Sequence, residues 1–255
     1  MKTKIIACAN QKGGVGKTTT ALNLSAALAK RGKQVLLVDS DPQGNASSGA
    51  GLQSQESLPS LYHCYTGGSV AAECVQPTSI KNMFVLPASI DLVGAEIEII
   101  SVVDREKQLK RIVRSLGAIY DYVIIDCPPS LGLLTVNGLT AADSVLIPLQ
   151  CEYFALEGLA QLISTIRRVK KSLNPGLYIE GLLLTMYDRR NRLTHTVANE
   201  VKTHFKEQVF STVIPRNVRL SESPSHGMTV IEYDKNCPGA KAYQQLGNEL
   251  LRRNS

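Results

Sequence analysis

The stretch from Ile5 to Thr20, IIACANQKGGVGKTTT, constrains this chain more than any other. A short apolar run, Ile5 to Ala9, leads into glycines at 13, 14 and 16, then a lysine and three threonines. Behind them comes a run with helical spacing. Strand, glycine-rich turn, helix is the layout of a phosphate cradle. Backbone N–H groups of the turn and of the helix N-terminus converge on an anion, and Lys17 adds a point charge. The general phosphate-loop pattern G-x-x-x-x-G-K-[ST] asks for a glycine where this chain has Gln11, so the strict pattern fails. Two lysines, Lys12 and Lys17, bracket the glycines instead. One lysine normally serves the β and γ oxygens of its own nucleotide, so the second needs a separate task.

A helix and a second strand complete the unit that carries the cradle. Ala21, Leu22, Leu24, Ala27 and Leu28 mark a helix over Thr18–Arg31 that stops at Gly32. Gln34–Val38 is an apolar run ending at Asp39, as expected of a parallel strand buried on both faces. Together these form a right-handed βαβ unit. The Ser-, Gly- and Gln-rich region Gly44–Gln76 reads as surface loops with short helices near Leu58–Cys64 and Val70–Cys74. Strands are expected at Met83–Leu86, Tyr122–Ile125, Ser144–Leu149, Tyr178–Thr185 and Val209–Ile214. Helices are expected at Asp91–Val103, Arg105–Leu116, Tyr153 to about Leu173, Leu193–Phe205 and Gly239–Leu251. Alternation of this kind predicts an α/β fold, a mostly parallel sheet flanked by helices on both faces. Ligands in such folds sit at the carboxyl ends of the strands, a rim that holds Asn10, Gln11, Asp39, Asp126 and Thr185.

On that rim Thr18 is placed to give a hydroxyl oxygen to Mg²⁺. Asp39 and Asp41 end the second strand as a pair. Two carboxylates beside a triphosphate suggest separate tasks: Asp39 for the metal shell, Asp41 for orienting the attacking water. Asp126 closes a buried strand, the position from which an acid reaches a metal-bound water, and Pro128-Pro129 stiffens the exit. Gly132 gives the next loop the freedom of a switch segment.

Bulk composition narrows the class. The chain has 255 residues, 44% hydrophobic and 20% charged, with no linker-like run, which suits a single domain spanning residues 1–255. The net charge of +6 is compatible with a polyanionic partner. Six scattered cysteines form no C-x-x-C pair and read as small buried hydrophobes. No apolar signal segment or membrane-length run is visible, so a reduced, cytoplasmic protein is expected.

In order along the chain, ANQKGGVGKTTT, LLVDSDPQGNAS, YVIIDCPPSLGLLT, IPLQCEYFALEGL, LLLTMYDRR and VIPRNVRLSESPSHG resemble the ParA/Soj family of chromosome and plasmid partitioning ATPases, whose phosphate loop is the deviant Walker A type. The resemblance implies a nucleotide site made of Gln11, Lys12, Gly13, Gly14, Val15, Gly16, Lys17, Thr18 and Thr19, with ATP and Mg²⁺ as ligands. Met186, Pro215 and Asn217 fall in the segments that hold the adenine. It implies that Lys12 reaches the phosphates of a second subunit in an ATP-sandwiched homodimer, that Asp41 is the catalytic carboxylate and that Asp126 is the Walker B acid. It further implies non-specific binding of double-stranded DNA by the dimer, with Arg190 and Arg219 the best matches for DNA contacts and Arg189 the neighbouring candidate. A ParB-type partner is expected to stimulate hydrolysis and release the DNA, giving a nucleoid-associated protein. Phosphate-only binding needs basic residues on one face, and Arg167, Arg168, Lys170 and Lys171 add to the supply.

Two departures limit the resemblance. The loop begins at residue 10 or 11, so no DNA-reading domain is expected ahead of it. The ending Leu250-Leu251-Arg252-Arg253-Asn254-Ser255 is too short an apolar patch for membrane anchoring of the MinD kind, so no membrane partner is expected. A MinD-like positioning ATPase is the alternative reading. A reductase of the nitrogenase iron-protein kind is a third, with Cys127 after Asp126 its faint hint.

Overall fold

The computed structural model describes residues 3–52, 58–152 and 155–254. Seven strands form one sheet in the order β3-β4-β2-β5-β1-β6-β7. They are β1 (Lys4–Cys8), β2 (Val35–Asp39), β3 (Gln76–Pro77), β4 (Met83–Leu86), β5 (Tyr122–Asp126), β6 (Ser144–Gln150) and β7 (Tyr178–Thr185). All pair in parallel except the short edge strand β3, which runs antiparallel to β4. Twelve α-helices accompany them among the described residues: α1 (Lys17–Ala29), α2 (Asn45–Gly49), α3 (Leu61–Thr66), α4 (Ala71–Cys74), α5 (Leu92–Glu98), α6 (Gln108–Ser115), α7 (Leu133–Ala141), α8 (Ala155–Ser172), α9 (Arg192–Phe205), α10 (Arg219–Glu222), α11 (Val230–Tyr233) and α12 (Pro238–Arg253).

Alternation along the buried strands splits the core into two layers. Ala7, Leu36, Val38, Val123 and Ile125 pack on the side of α3 and α5–α9. Ile6, Cys8, Leu37 and Ile124 pack on the side of α1, α11 and α12. The α1–α12 contact is close at Gly247, where a β-carbon would sit 3.1 Å from that of Ala27. Register then decides what stands together at the rim. Asp126 is opposite Cys8 on one side and Asp39 on the other. The neighbouring strands β2, β5 and β1 therefore deliver two carboxylates and the start of the glycine loop at one level.

The expected strand at Val209–Ile214 does not form a ladder. Phe210 and Ile214 donate N–H groups to Leu182 (2.9 Å) and Leu184 (2.8 Å). Between them the N–H groups of Ser211 and Thr212 turn away to the carboxylate of Glu249 in α12, both at 2.8 Å. A side chain thus takes the donors that a strand would give to its neighbour. The helix expected at Asp91–Val103 ends at Glu98 and continues as a 3₁₀ turn over Ile99–Ser101, and that expected from Arg105 opens with a 3₁₀ turn before α6. Helices α2, α7, α10 and α11 and the edge strand β3 have no counterpart in the sequence pattern. In α7, Thr and Gly residues blur the period, yet Gly138 is needed: a β-carbon there would meet Cys127 Sγ at 2.8 Å. Residues 53–57 and Tyr153, the expected start of the long helix, lie outside the described residues.

Glu249 is 6% exposed and also pairs with Arg253 at 2.8 Å. Burial works to raise its pKa, but hydrogen bonds from Thr212 and Ser211 and the Arg253 charge outweigh it and hold the carboxyl below its ordinary value. Such a group stabilises the fold above its unfolded pKa, and that contribution is lost as pH falls through the folded pKa. We expect Glu249→Ala to lower stability by about 2–4 kcal/mol, because two buried amides lose their acceptor. Urea unfolding checks this, and the gap from wild type should narrow as pH is lowered through the carboxylate range.

Candidate functional site

The glycine loop leaves β1 and turns into α1 through backbone that only glycine adopts without strain. Gly14 and Gly16 have φ of 73° and 86°, in the left-handed region. Gly16 occupies the N-cap of α1 and offers no side-chain cap, so the first amides of the helix face outward as donors. The loop is pinned from beneath. Thr185 Oγ1 donates to the Val15 carbonyl at 2.8 Å, Asn10 Nδ2 donates to the Pro148 carbonyl at 2.7 Å, and Lys12 N–H donates to Asn10 Oδ1 at 3.0 Å. Groups from β6 and β7 therefore fix the shape of a turn that has almost none of its own.

Lys17 is folded back over this turn. It is 6% exposed, and its Nζ donates to the Lys12 carbonyl at 3.0 Å. Gly13, Gly14, Gly16, Lys17, Thr18, Thr19, Asp41 and Met186 line one cleft of about 620 Å³. Leu22, Gln43, Asn45, Ser48, Pro129, Pro224 and Ser225 complete its walls. The Gln43–Ser48 wall lies in a polar stretch without periodicity, where the Gly44-Asn45 pair at the start of α2 is the one local signal of a turn. Pro215 and Asn217 are not among the lining residues. Pro215 bridges to Tyr187, and Asn217 Oδ1 is buried without a partner among the described residues. Gln11 and Lys12 face a different opening of about 510 Å³, shared with Pro129, Leu131, Glu157, Gly158 and Gln161. The Lys12 ammonium is not aimed at its own loop: it pairs with Glu152 Oε2 at 2.5 Å, both side chains being about half exposed.

The three acids differ in what holds them. Asp39 is fully buried, and its oxygens accept from Ser47 N–H (2.8 Å), Ser47 Oγ (2.7 Å) and Asp41 N–H (3.2 Å). Burial pushes its pKa up to about 6 against those hydrogen bonds. Asp41 is 8% exposed and accepts from Gln43 N–H at 3.0 Å, which turns it toward the cleft. Asp126 is fully buried, and neither of its carboxylate oxygens has a hydrogen-bond partner among the described residues. Burial and then the adjacent Asp39 raise its pKa well above the ordinary value, while the Thr18 hydroxyl and the Lys17 ammonium oppose the rise. Buried acids are normally paired. A carboxylate left open beside a threonine hydroxyl at the floor of a phosphate cleft fits a cation that the nucleotide brings with it. No cluster of three or more His, Cys, Asp or Glu side chains among the described residues would hold a metal unaided. Magnesium bound through one or two carboxylates plus substrate phosphates needs no such cluster.

Arg189 and Arg190 follow β7, and Arg219 opens α10. The Tyr187–Pro215 bridge and an Arg216 N–H to Tyr187 carbonyl bond (3.3 Å) bring the two segments side by side. Arg190 is held by Asp188 at 3.0 Å with its side chain 90% exposed, and Arg219 pairs with Glu222 at 2.8 Å. Cys127, by contrast, points into the core at 1% exposure. Among the described residues, no helix is long and apolar enough to cross a membrane.

A family profile described as an AAA domain matches residues 3–179. Over 247 residues the chain is 55% identical to the sporulation initiation inhibitor protein Soj of Bacillus subtilis (strain 168), covering 97% of this chain and 98% of that protein. This chain belongs to the ParA/Soj family of partitioning ATPases. Its fold is shared with solved structures at similar coverage. The cobyrinic acid a,c-diamide synthase from Mycobacterium smegmatis with bound ADP and magnesium superposes with a TM-score of 0.86 at 40% identity, covering 98% of this chain and 95% of that one. The septum site-determining protein MinD from Pyrococcus horikoshii OT3, complexed with Mg-ADP, gives 0.83 at 25% identity, covering 99% and 98%. The expected architecture, a mostly parallel sheet flanked by helices on both faces, is the one observed and is shared with these structures.

Proposed function

We propose that this ParA/Soj ATPase is a DNA-segregation switch in which bound ATP joins two chains face to face and the joined form holds DNA without sequence preference. The observation that carries this reading is the division of labour between the two loop lysines. Lys17 covers its own phosphate cleft, whereas Lys12 points to the outer opening beside Pro129 and Leu131 and is held there by Glu152. A lysine in that position is available to the phosphates of a second chain.

Within one site, Gly13, Gly14, Gly16 and Thr19 offer backbone donors to the phosphates, and Lys17 neutralises the β and γ oxygens. Thr18 and Asp126 would hold Mg²⁺, which would supply charge neutralisation on the β- and γ-phosphate oxygens. Asp39, whose oxygens are taken by Ser47 and the Asp41 amide, acts from behind: it fixes the Asp41 backbone and the start of α2. Asp41 orients and accepts a proton from the attacking water. Met186, at φ 49°, lines the cleft and its neighbour Tyr187 bridges to Pro215, which supports adenine binding on that side.

The exposed arginines Arg189, Arg190 and Arg219 supply phosphate contacts to DNA, and a ParB-type partner would release the protein by stimulating hydrolysis. We expect charge reversal, Arg190→Glu or Arg219→Glu, to weaken ATP-dependent DNA retention by about tenfold and to flatten its salt dependence by about one to two in log–log slope. ATP binding should be unchanged. Unaltered retention would move the DNA face elsewhere on the molecule. The reading as a whole is tested by DNA retention with ATP, with ADP and without nucleotide, repeated after adding the partner. Retention that ignores the nucleotide would overturn it.

A further inference from the structure

Large apolar side chains face solvent on α5 and its flanks. Ile90, Val93, Ile97 and Ile100 are 54–72% exposed, and Val103 is 82% exposed. Val93 and Ile97 lie one turn apart on α5, with Ile90 in the turn before it and Ile100 in the 3₁₀ turn after it, all facing outward, while Leu92, Ala95 and Ile99 fill the core beneath. Large apolar residues aligned in this way on a water-facing helix mark an interaction site.

The charge around the stripe identifies what would cover it. Residues 82–104 contain no lysine or arginine but four acids, Asp91, Glu96, Glu98 and Asp104, in a chain of net charge +6. Asp104 is neutralised by Lys107 and Arg111 at the far end, where Arg105 also binds the Ile100 carbonyl. Asp91 and Glu98 have only hydroxyl partners, Ser89 and Tyr62, among the described residues. An acidic apolar stripe repels DNA. Set against its own copy across a two-fold axis, it would bring acid to acid.

The stripe is also wired to both loops of the site. Glu96 Oε1 accepts from Leu134 N–H at 3.2 Å, at the start of α7 just beyond the loop after Asp126. Ile90 and Asp91 line a cleft of about 570 Å³ whose other wall includes Pro42 and Gln43, next to Asp41. We propose that this face is the docking surface for a basic amphipathic helix of a partner protein, laid along Ile90–Ile100 with its cations on Asp91 and Glu98. Such a helix would act on the Asp41 and Asp126 loops at once. The proposal deepens the partition-switch reading, on which it rests, by naming the surface through which a partner adjusts hydrolysis.

The test uses the full chain and a fluorescent synthetic helix of about 18 residues, long enough to be helical, with leucines on one face and lysines on the other. A counterpart carries glutamates for lysines. The wild-type chain should bind the lysine peptide saturably. Ile97→Lys should weaken that binding about tenfold or more, and Glu98→Lys several-fold with reduced salt sensitivity. Both positions are on the surface, so the fold is kept. Equal binding of the glutamate peptide, or unchanged affinity in Ile97→Lys, would overturn the proposal. So would loss of ATP-dependent dimers in Ile97→Lys at full peptide affinity, since the stripe would then face a second copy. DNA retention by the same variants separates the two readings. A chain that binds the peptide but ignores ATP on DNA fails only the partition reading; one that responds to ATP but not to the peptide fails only this proposal.

Discussion

An Asp41→Ala variant is expected to bind ATP and to turn it over about two to four powers of ten more slowly, the usual contribution of a positioned general base. Asp41 lines the cleft, is 8% exposed and has one oxygen fixed by the Gln43 amide, so its direction is set before nucleotide arrives. Its side chain accepts its hydrogen bond from Gln43 and not from the phosphate loop. In the proposed site the phosphate donors would come from Gly13–Thr19, and the open acid at the floor is Asp126. Binding therefore survives while the water loses its orienting group. On the proposed function the consequence is larger than the loss of rate: a joined form that cannot hydrolyse ATP should stay on DNA. Single-turnover ATPase and DNA retention measured on the same preparation check both parts. Rapid turnover by the variant would take Asp41 out of the catalytic role. Asp41→Asn keeps the shape and the Gln43 contact, and comparable slowing there would assign the effect to the lost base and not to loop collapse.

The second large effect is expected at Lys12. Its ion pair with Glu152 is between two side chains each about half exposed, 41% and 45%. Exposed pairs of this kind contribute about 0–1 kcal/mol, so the lysine is released at little cost when something more anionic approaches. A triphosphate bound to a second chain is such a group. Lys12→Ala should keep a large part of its nucleotide affinity, because Lys17 covers the chain's own phosphates, and should lose the ATP-dependent dimer. Size-exclusion chromatography with ATP reads this directly, and a normal dimer would sink the assignment. Glu152→Ala is the needed companion. It removes the same ion pair yet leaves the lysine, so dimers should persist. If both variants lost the dimer, the ion pair itself and not the reach of Lys12 would be what matters.

The phosphate-loop geometry was legible because it is local. Strand, glycines with left-handed φ, lysine and helix start come one after another without interruption, and each is demanded by geometry that nearby residues satisfy. The buried parallel strands were legible for the same reason: runs such as VLLVD and YVIID have no polar face to hide. Elements whose partners are remote were not. Val209–Ile214 has the composition of a strand, but Glu249 takes two of its amides. Helix α7 hid behind Gly138, a residue chosen for Cys127 and not for helix formation.

The sequence by itself determined that this is a phosphate-binding α/β chain of the ParA/Soj kind, since the motif order and the strand ends that carry acids are written along the chain. Only the tertiary structure decided which of those carboxylates is taken by hydrogen bonds and which is left open. Register sets Asp39 beside Asp126, and Ser47, eight residues beyond Asp39, takes the Asp39 carboxylate, leaving Asp126 the open one. It also decided which way the two lysines point, inward for Lys17 and toward Glu152 for Lys12. Spacing along a loop fixes which residues are near each other, whereas the direction of a long, flexible side chain is set by charges and walls that other parts of the chain bring to it.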